Sequence, residues 1–78
     1  MTLVKIWIPR QALGMALKGL QTRFPYRPGE RMDPQMVPSE NQFLVRIHLA
    51  GDPDDAQVEY LEAGKSAGLV TTYEVSNG

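Results

Sequence analysis

Between Gln42 and Leu49 the chain alternates apolar and polar positions almost without a break. Phe43, Val45, Ile47 and Leu49 fall on one face, Leu44, Arg46 and His48 on the other. Successive side chains of a strand point to opposite faces, so this period of two predicts a strand over a core. Residues 3–8 repeat the pattern, with Val4, Ile6 and Ile8 on one face and Leu3, Lys5 and Trp7 on the other. Pro9 has no N–H to give to a ladder and restricts Ile8, so it ends the strand.

From about Arg10 to Phe24 the period lengthens to that of a helix. Ala12, Leu13, Ala16, Leu17, Leu20 and Phe24 share one arc, and Gln11, Lys18, Gln21 and Thr22 lie opposite. Gly14 and Gly19 each weaken this helix by up to ~1 kcal/mol relative to alanine and allow close approach to the sheet. Pro25, Pro28, Pro34 and Pro38 then destroy all periodicity. Residues 25–40 read as a Pro/Arg-rich loop in which Gln35–Val37 forms a short edge strand, a place where a flanking proline is tolerated.

After the Gln42–Leu49 strand, Gly51-Asp52-Pro53-Asp54-Asp55 predicts a helix start. Asp52 is read as the N-cap and Pro53 as the first helical residue. Ala56, Tyr60, Leu61, Ala63, Gly64, Ala67 and Gly68 make a broad small-residue face, expected to lie on the sheet; Asp55, Glu59, Glu62 and Ser66 face out. Gly68 suits the helix stop. Leu69–Val75 reads as a final strand with Thr71, Tyr73 and Val75 on one face, and residues 76–78 are expected to fray.

This order predicts a single α+β domain over residues 1–78, the βαββαβ ferredoxin-like plait with two helices on one face of an antiparallel sheet. Without the edge strand it reduces to a three-stranded βαβαβ sheet. The right-handed crossover rule places the first strand beside the Gln42–Leu49 strand.

Composition narrows the chemistry. The 78 residues include no cysteine and one histidine, which removes disulfides, thiolate nucleophiles and Cys- or His-rich metal sites within one chain. So small a core supplies only ~3–5 kcal/mol, which makes a homodimer an inexpensive source of further stability. Met1–Lys5 is too short an apolar run for a secretory leader, and no stretch approaches the ~20 apolar residues of a membrane span. A soluble cytoplasmic protein without membrane contact is the expectation. The net charge of −1 hides a polarity: residues 1–39 carry +4 and residues 40–78 carry −5.

If both helices cover one face of the sheet, the other presents Lys5, Trp7, Leu44, Arg46 and His48 together. Cations beside an aromatic ring suit single-stranded nucleic acid, and plaits of the RNA recognition motif family use this face. The Gly-aromatic-Gly/Ala-Phe signature of that family is replaced here by Phe43-Leu44-Val45-Arg46. A bare sheet carrying tryptophan, leucine and arginine is equally a protein contact. Arg23, Arg27 and Arg31 are spaced by four, but Pro25 and Pro28 break any helical stripe; on a loop they can clasp a carboxylate or phosphate.

Catalytic patterns fail one by one. His48 has only Arg46 and Ala50 as same-face neighbours, neither of which orients a general base. Asp52, Asp54 and Asp55 fit a helix start better than a calcium loop. Gly64-Lys65-Ser66 lacks the earlier glycine of a phosphate-binding loop, Glu59 standing in its place. The sequence therefore points to a non-catalytic protein without cofactor or metal. It is expected to bind a larger protein as inhibitor, adaptor or regulator, a type common among phages and mobile elements. The alternative is a nucleic-acid-binding module on the same sheet face.

Overall fold

The computed structural model describes residues 2–24 and 34–77. Strand β1 (Thr2–Pro9) leads through a 3-10 turn (Arg10–Ala12) into helix α1 (Leu13–Arg23). Strand β2 (Gln35–Val37), a second 3-10 turn (Pro38–Glu40), strand β3 (Gln42–Leu49), helix α2 (Asp55–Ala67) and strand β4 (Thr72–Asn77) follow. The sheet order is β2-β3-β1-β4 and every neighbouring pair is antiparallel. This is the ferredoxin-like plait, with β1 beside β3 as expected, though the pair is antiparallel and the crossover rule, which concerns parallel strands, is not what sets it. The edge strand exists, so the three-stranded alternative falls away.

Register decides which side chains meet. Val4 lies opposite Ile47 and Val75, Ile6 opposite Val45 and Tyr73, and Ile8 opposite Phe43. These residues face the helices. Val4, Ile6, Ile8 and Val45 are fully buried with Leu20 and Phe24 from the α1 segment and Leu61 from α2. Each large aliphatic removed from water in this way contributes roughly 1.5–3 kcal/mol.

The helical segment begins at Arg10 as expected, but its first turn is 3-10 and no side chain caps α1. It closes at Phe24, whose N–H reaches the Leu20 carbonyl at 2.7 Å while the ring enters the core. Between the helices, Gly19 is a required notch. A Cβ there would overlap the Tyr60 hydroxyl and fall 2.6 Å from the ring carbon Cζ.

Helix α2 corrects three expectations. Its N-cap is Asp54 rather than Asp52, and Pro53 precedes the helix. The Asp54 carboxylate accepts the Gln57 N–H at 2.8 Å, and the Gln57 side-chain oxygen accepts the Asp54 N–H at 2.9 Å. This capping box satisfies two otherwise unpaired donors, which a start at Asp52 would not. The expected face is buried only in part: Leu61 and Gly64 are buried and Tyr60 is half-buried, with Gln57 and Val58 half-buried beside them, while Ala56, Ala63, Ala67 and Gly68 are exposed. Alanines offer little apolar area, so the helix turns until Leu61 points into the core. Gly68 does end it, at φ 79°, a left-handed conformation suited to glycine.

Beyond Gly68 the N–H groups of Leu69 and Val70 fold back onto the Gly64 carbonyl at 2.9 and 3.1 Å. Leu69 and Val70 thus belong to the helix stop, not to the strand, and Thr71 also lies outside β4. Ser76 and Asn77, expected to fray, are strand residues instead. Asn77 is held by the buried Thr2, whose hydroxyl donates to its side-chain oxygen at 3.0 Å.

Candidate functional site

The sheet has a second face that neither helix covers, and the same register sets its layout. Across one row lie Thr72, Trp7, Leu44 and Gln35; the next holds Glu74, Lys5 and Arg46; the third holds Ser76, Leu3 and His48. Lys5, Trp7, Leu44, Arg46 and His48 therefore sit together on the two central strands. Glu74 and Gln35, which sequence reasoning did not name, join them through the edge strands. Their places followed from alternation alone once the strand limits were fixed.

The face has an apolar centre. Leu44 keeps only 9% of its surface exposed although it points away from the helices. Trp7 lies directly beside it on β1, and Leu3, Lys5 and Trp7 are half-buried. Arg46, His48, Gln35, Thr72, Glu74 and Ser76 are exposed around that centre. The Arg46 guanidinium donates from Nη1 to the Gln35 side-chain oxygen, which holds its plane across the β2–β3 boundary. Gln42 shares this face, one step beyond Leu44 and opposite Pro9. Its side-chain oxygen is buried and has no hydrogen-bond partner among the described residues.

Arg23 is elsewhere. It is the last residue of α1 rather than a loop residue, in the helix layer on the opposite side of the sheet. Its guanidinium lies over the Tyr60 ring, 5.7 Å from the centroid, and its carbonyl accepts from the Gln57 side-chain amide at 3.0 Å. With Ala56, Glu59, Tyr60 and Ala63 it lines an open cleft of about 350 Å³. Arg27 and Arg31 lie outside the described residues. Arg23 is thus a ring-stacking residue whose carbonyl at the end of α1 is capped by Gln57.

His48 is exposed opposite Leu3, and no hydrogen bond orients its ring among the described residues. Among the same residues no three metal-capable side chains cluster, and no helix is long and apolar enough to cross a membrane. One titration is perturbed. Tyr73, on the helix side of β4, has its phenol pushed above the ordinary 10.0, first by desolvation and then by the hydrogen bond and charge of Glu62.

The chain matches no protein-family model, no curated protein and no solved structure.

Proposed function

We propose that this is a small interaction protein whose second sheet face, the one neither helix covers, docks on a larger protein as an inhibitor, adaptor or regulator. The observation that carries the reading is the anatomy of the face: Trp7 packed beside a nearly buried Leu44, ringed by exposed polar side chains. Buried aromatic anchors inside a polar rim are how protein contacts concentrate their energy, and tryptophan and arginine are the residues most often responsible. Charge favours protein over nucleic acid. Lys5 lies directly opposite Glu74, so one of the two central cations has an anion beside it, while Arg46 is held by the neutral Gln35. Binding to a polyanion depends on unopposed cations. A chain without cysteine suits a reducing compartment such as the cytoplasm.

The test compares partner capture by the wild type and by a Trp7→Ala, Arg46→Ala variant checked for folding by circular dichroism. Loss of an anchor pair weakens binding by ~30-fold or more, about 2 kcal/mol. A partner kept only by the wild type supports the reading, and identical capture by both proteins overturns it. Trp7 fluorescence during titration with single-stranded RNA or DNA supplies the counter-test. Quenching that fades with salt and disappears in Arg46→Ala assigns the face to nucleic acid instead.

A further inference from the structure

The two edges of the sheet are treated differently. β2 is three residues long, with Pro34 before it and Pro38 after it, and so offers little ladder to another strand. β4 spans Thr72–Asn77 with no proline, no lysine and a single charge, Glu74. Its apolar Val75 is 41% exposed on the helix side. Natural edge strands are normally blunted by prolines, lysines or a covering segment, and among the described residues β4 has none of these.

We propose that β4 pairs with β4 of a second copy, antiparallel about a two-fold axis at Val75, to make an eight-stranded sheet. The backbone limits the register. Trp7 directs its carbonyl toward β4, accepting the Thr71 N–H at 2.8 Å, so Lys5 and Leu3 also turn their backbone groups that way. Their partners Glu74 and Ser76 are thereby directed inward. Tyr73, Val75 and Asn77 then present their N–H and C=O groups to the free edge. With Val75 opposite Val75 of the second copy, Tyr73 pairs with Asn77 and Glu74 with Ser76. Every outward-directed backbone group of β4 is paired, and no two like charges oppose each other.

Shifting the axis back by one residue would set Glu74 against Glu74 of the other copy, a destabilising arrangement, and shifting it on to Ser76 would carry Tyr73 past the end of the other β4 and leave its backbone groups unpaired. Shifting it to Tyr73 would call on Thr71, whose N–H is already given to Trp7. The flank is self-complementary too. On α2 beside this edge, Lys65 lies 5.6 Å from the Tyr73 ring centroid and 3.7 Å from Glu62, so each copy offers both signs of charge. The pairing is isologous and closes at two copies. It leaves the Trp7 face free and joins two such faces into one surface, so it does not depend on the docking role proposed above.

The experiment is sedimentation equilibrium from about 1 to 500 μM, a range spanning the affinity of small interfaces, alongside amide exchange by NMR at both ends. The mass should double with concentration. The amides of Tyr73, Val75 and Asn77 should gain protection on dimerisation, while those of Glu74 and Ser76 are protected throughout. Val75→Lys places two ammonium groups opposite each other and should return the mass to that of one chain. A monomer at all concentrations overturns the proposal. So does a dimer in which Val75→Lys changes nothing and the three amides gain no protection. If Val75→Lys does not fold, the exchange pattern of the wild type alone decides.

Discussion

Glycine-to-alanine substitution at two positions of α1 should move stability in opposite directions. At Gly14 an added methyl meets nothing within 4 Å, so only the backbone term acts. Alanine restricts the unfolded chain and favours the helix, and Gly14→Ala should stabilise by ~0.5–1 kcal/mol. Gly19 gains the same term but faces Tyr60, with ring carbons Cζ and Cε2 at 2.6 and 3.1 Å from the new methyl and the hydroxyl inside its radius. The ring cannot retreat by a terminal torsion alone, because the clash involves its rigid body. It must swing out about χ1 or push the helices apart, at ~1–3 kcal/mol for overpacking. Displacing the ring also removes the Arg23 cation from its face, a further ~0.5–1 kcal/mol for an exposed pair. Gly19→Ala should therefore destabilise by about 1–3 kcal/mol net, once the helix gain is offset.

Thermal and urea unfolding of both variants measures this directly. In a domain of this size 1 kcal/mol corresponds to ~4–8 °C in Tm, so the two alanines should separate clearly on either side of the wild type. Tyr60→Ala supplies the coupling. In its background the methyl at position 19 has nothing to strike, and Gly19→Ala should there become as stabilising as Gly14→Ala. Equal stabilisation by both alanines in the wild-type background would refute the packing argument, since it would mean that the Tyr60 ring does not rest on Gly19.

Two further predictions concern α2 and β4. Asp54→Ala should cost ~0.5–2 kcal/mol by urea unfolding, whereas Asp52→Ala should change stability little, because only Asp54 closes the capping box. Tyr73 should titrate above 10.0 by NMR and move down in Glu62→Gln, which removes the charge beside it. Since the folded state holds this proton more tightly than the unfolded one, the stabilisation is complete below pH 10.0. It is lost as pH rises through the folded-state value. A flat stability profile across that window, with the phenol titrating normally, would contradict it.

Much of the architecture was legible because period two and period 3.6 are produced by different residues here. Val4, Ile6 and Ile8, with Val45 and Ile47, announce two strands with a common buried face, and Ala16, Leu20 and Phe24 announce a helix over them. The makeup of the opposite face followed from the same alternation: once Val4 and Ile47 face the helices, Lys5, Trp7, Arg46 and His48 cannot. What escaped sequence reading was hydrogen-bond accounting. Asp52-Pro53 looks like a cap and first turn, yet Asp54 and Gln57 satisfy two N–H groups reciprocally, and that decides the start. Leu69 and Val70 look like strand residues, yet their N–H groups are taken by the Gly64 carbonyl. On α2 the face was legible at Tyr60, Leu61 and Gly64 but not in its width, because Ala56, Ala63 and Ala67 carry too little apolar area to hold that side inward. Arg23 was grouped with the loop because its spacing to Arg27 was visible and its contact with the Tyr60 ring was not.

The position of β1 in the sheet has a consequence for synthesis. β1 is a central strand, and both strands that flank it are encoded later, β3 about 40 residues on and β4 about 70. At ~5–20 residues per second, Val4, Ile6, Trp7 and Ile8 stay without a pairing partner on either side for roughly 2–8 s until β3 appears. Only α1 can shield them in that interval. The stretch with most to lose from exposure is thus the one exposed longest, and α1 acts as its cover during biogenesis before it serves as part of the finished core.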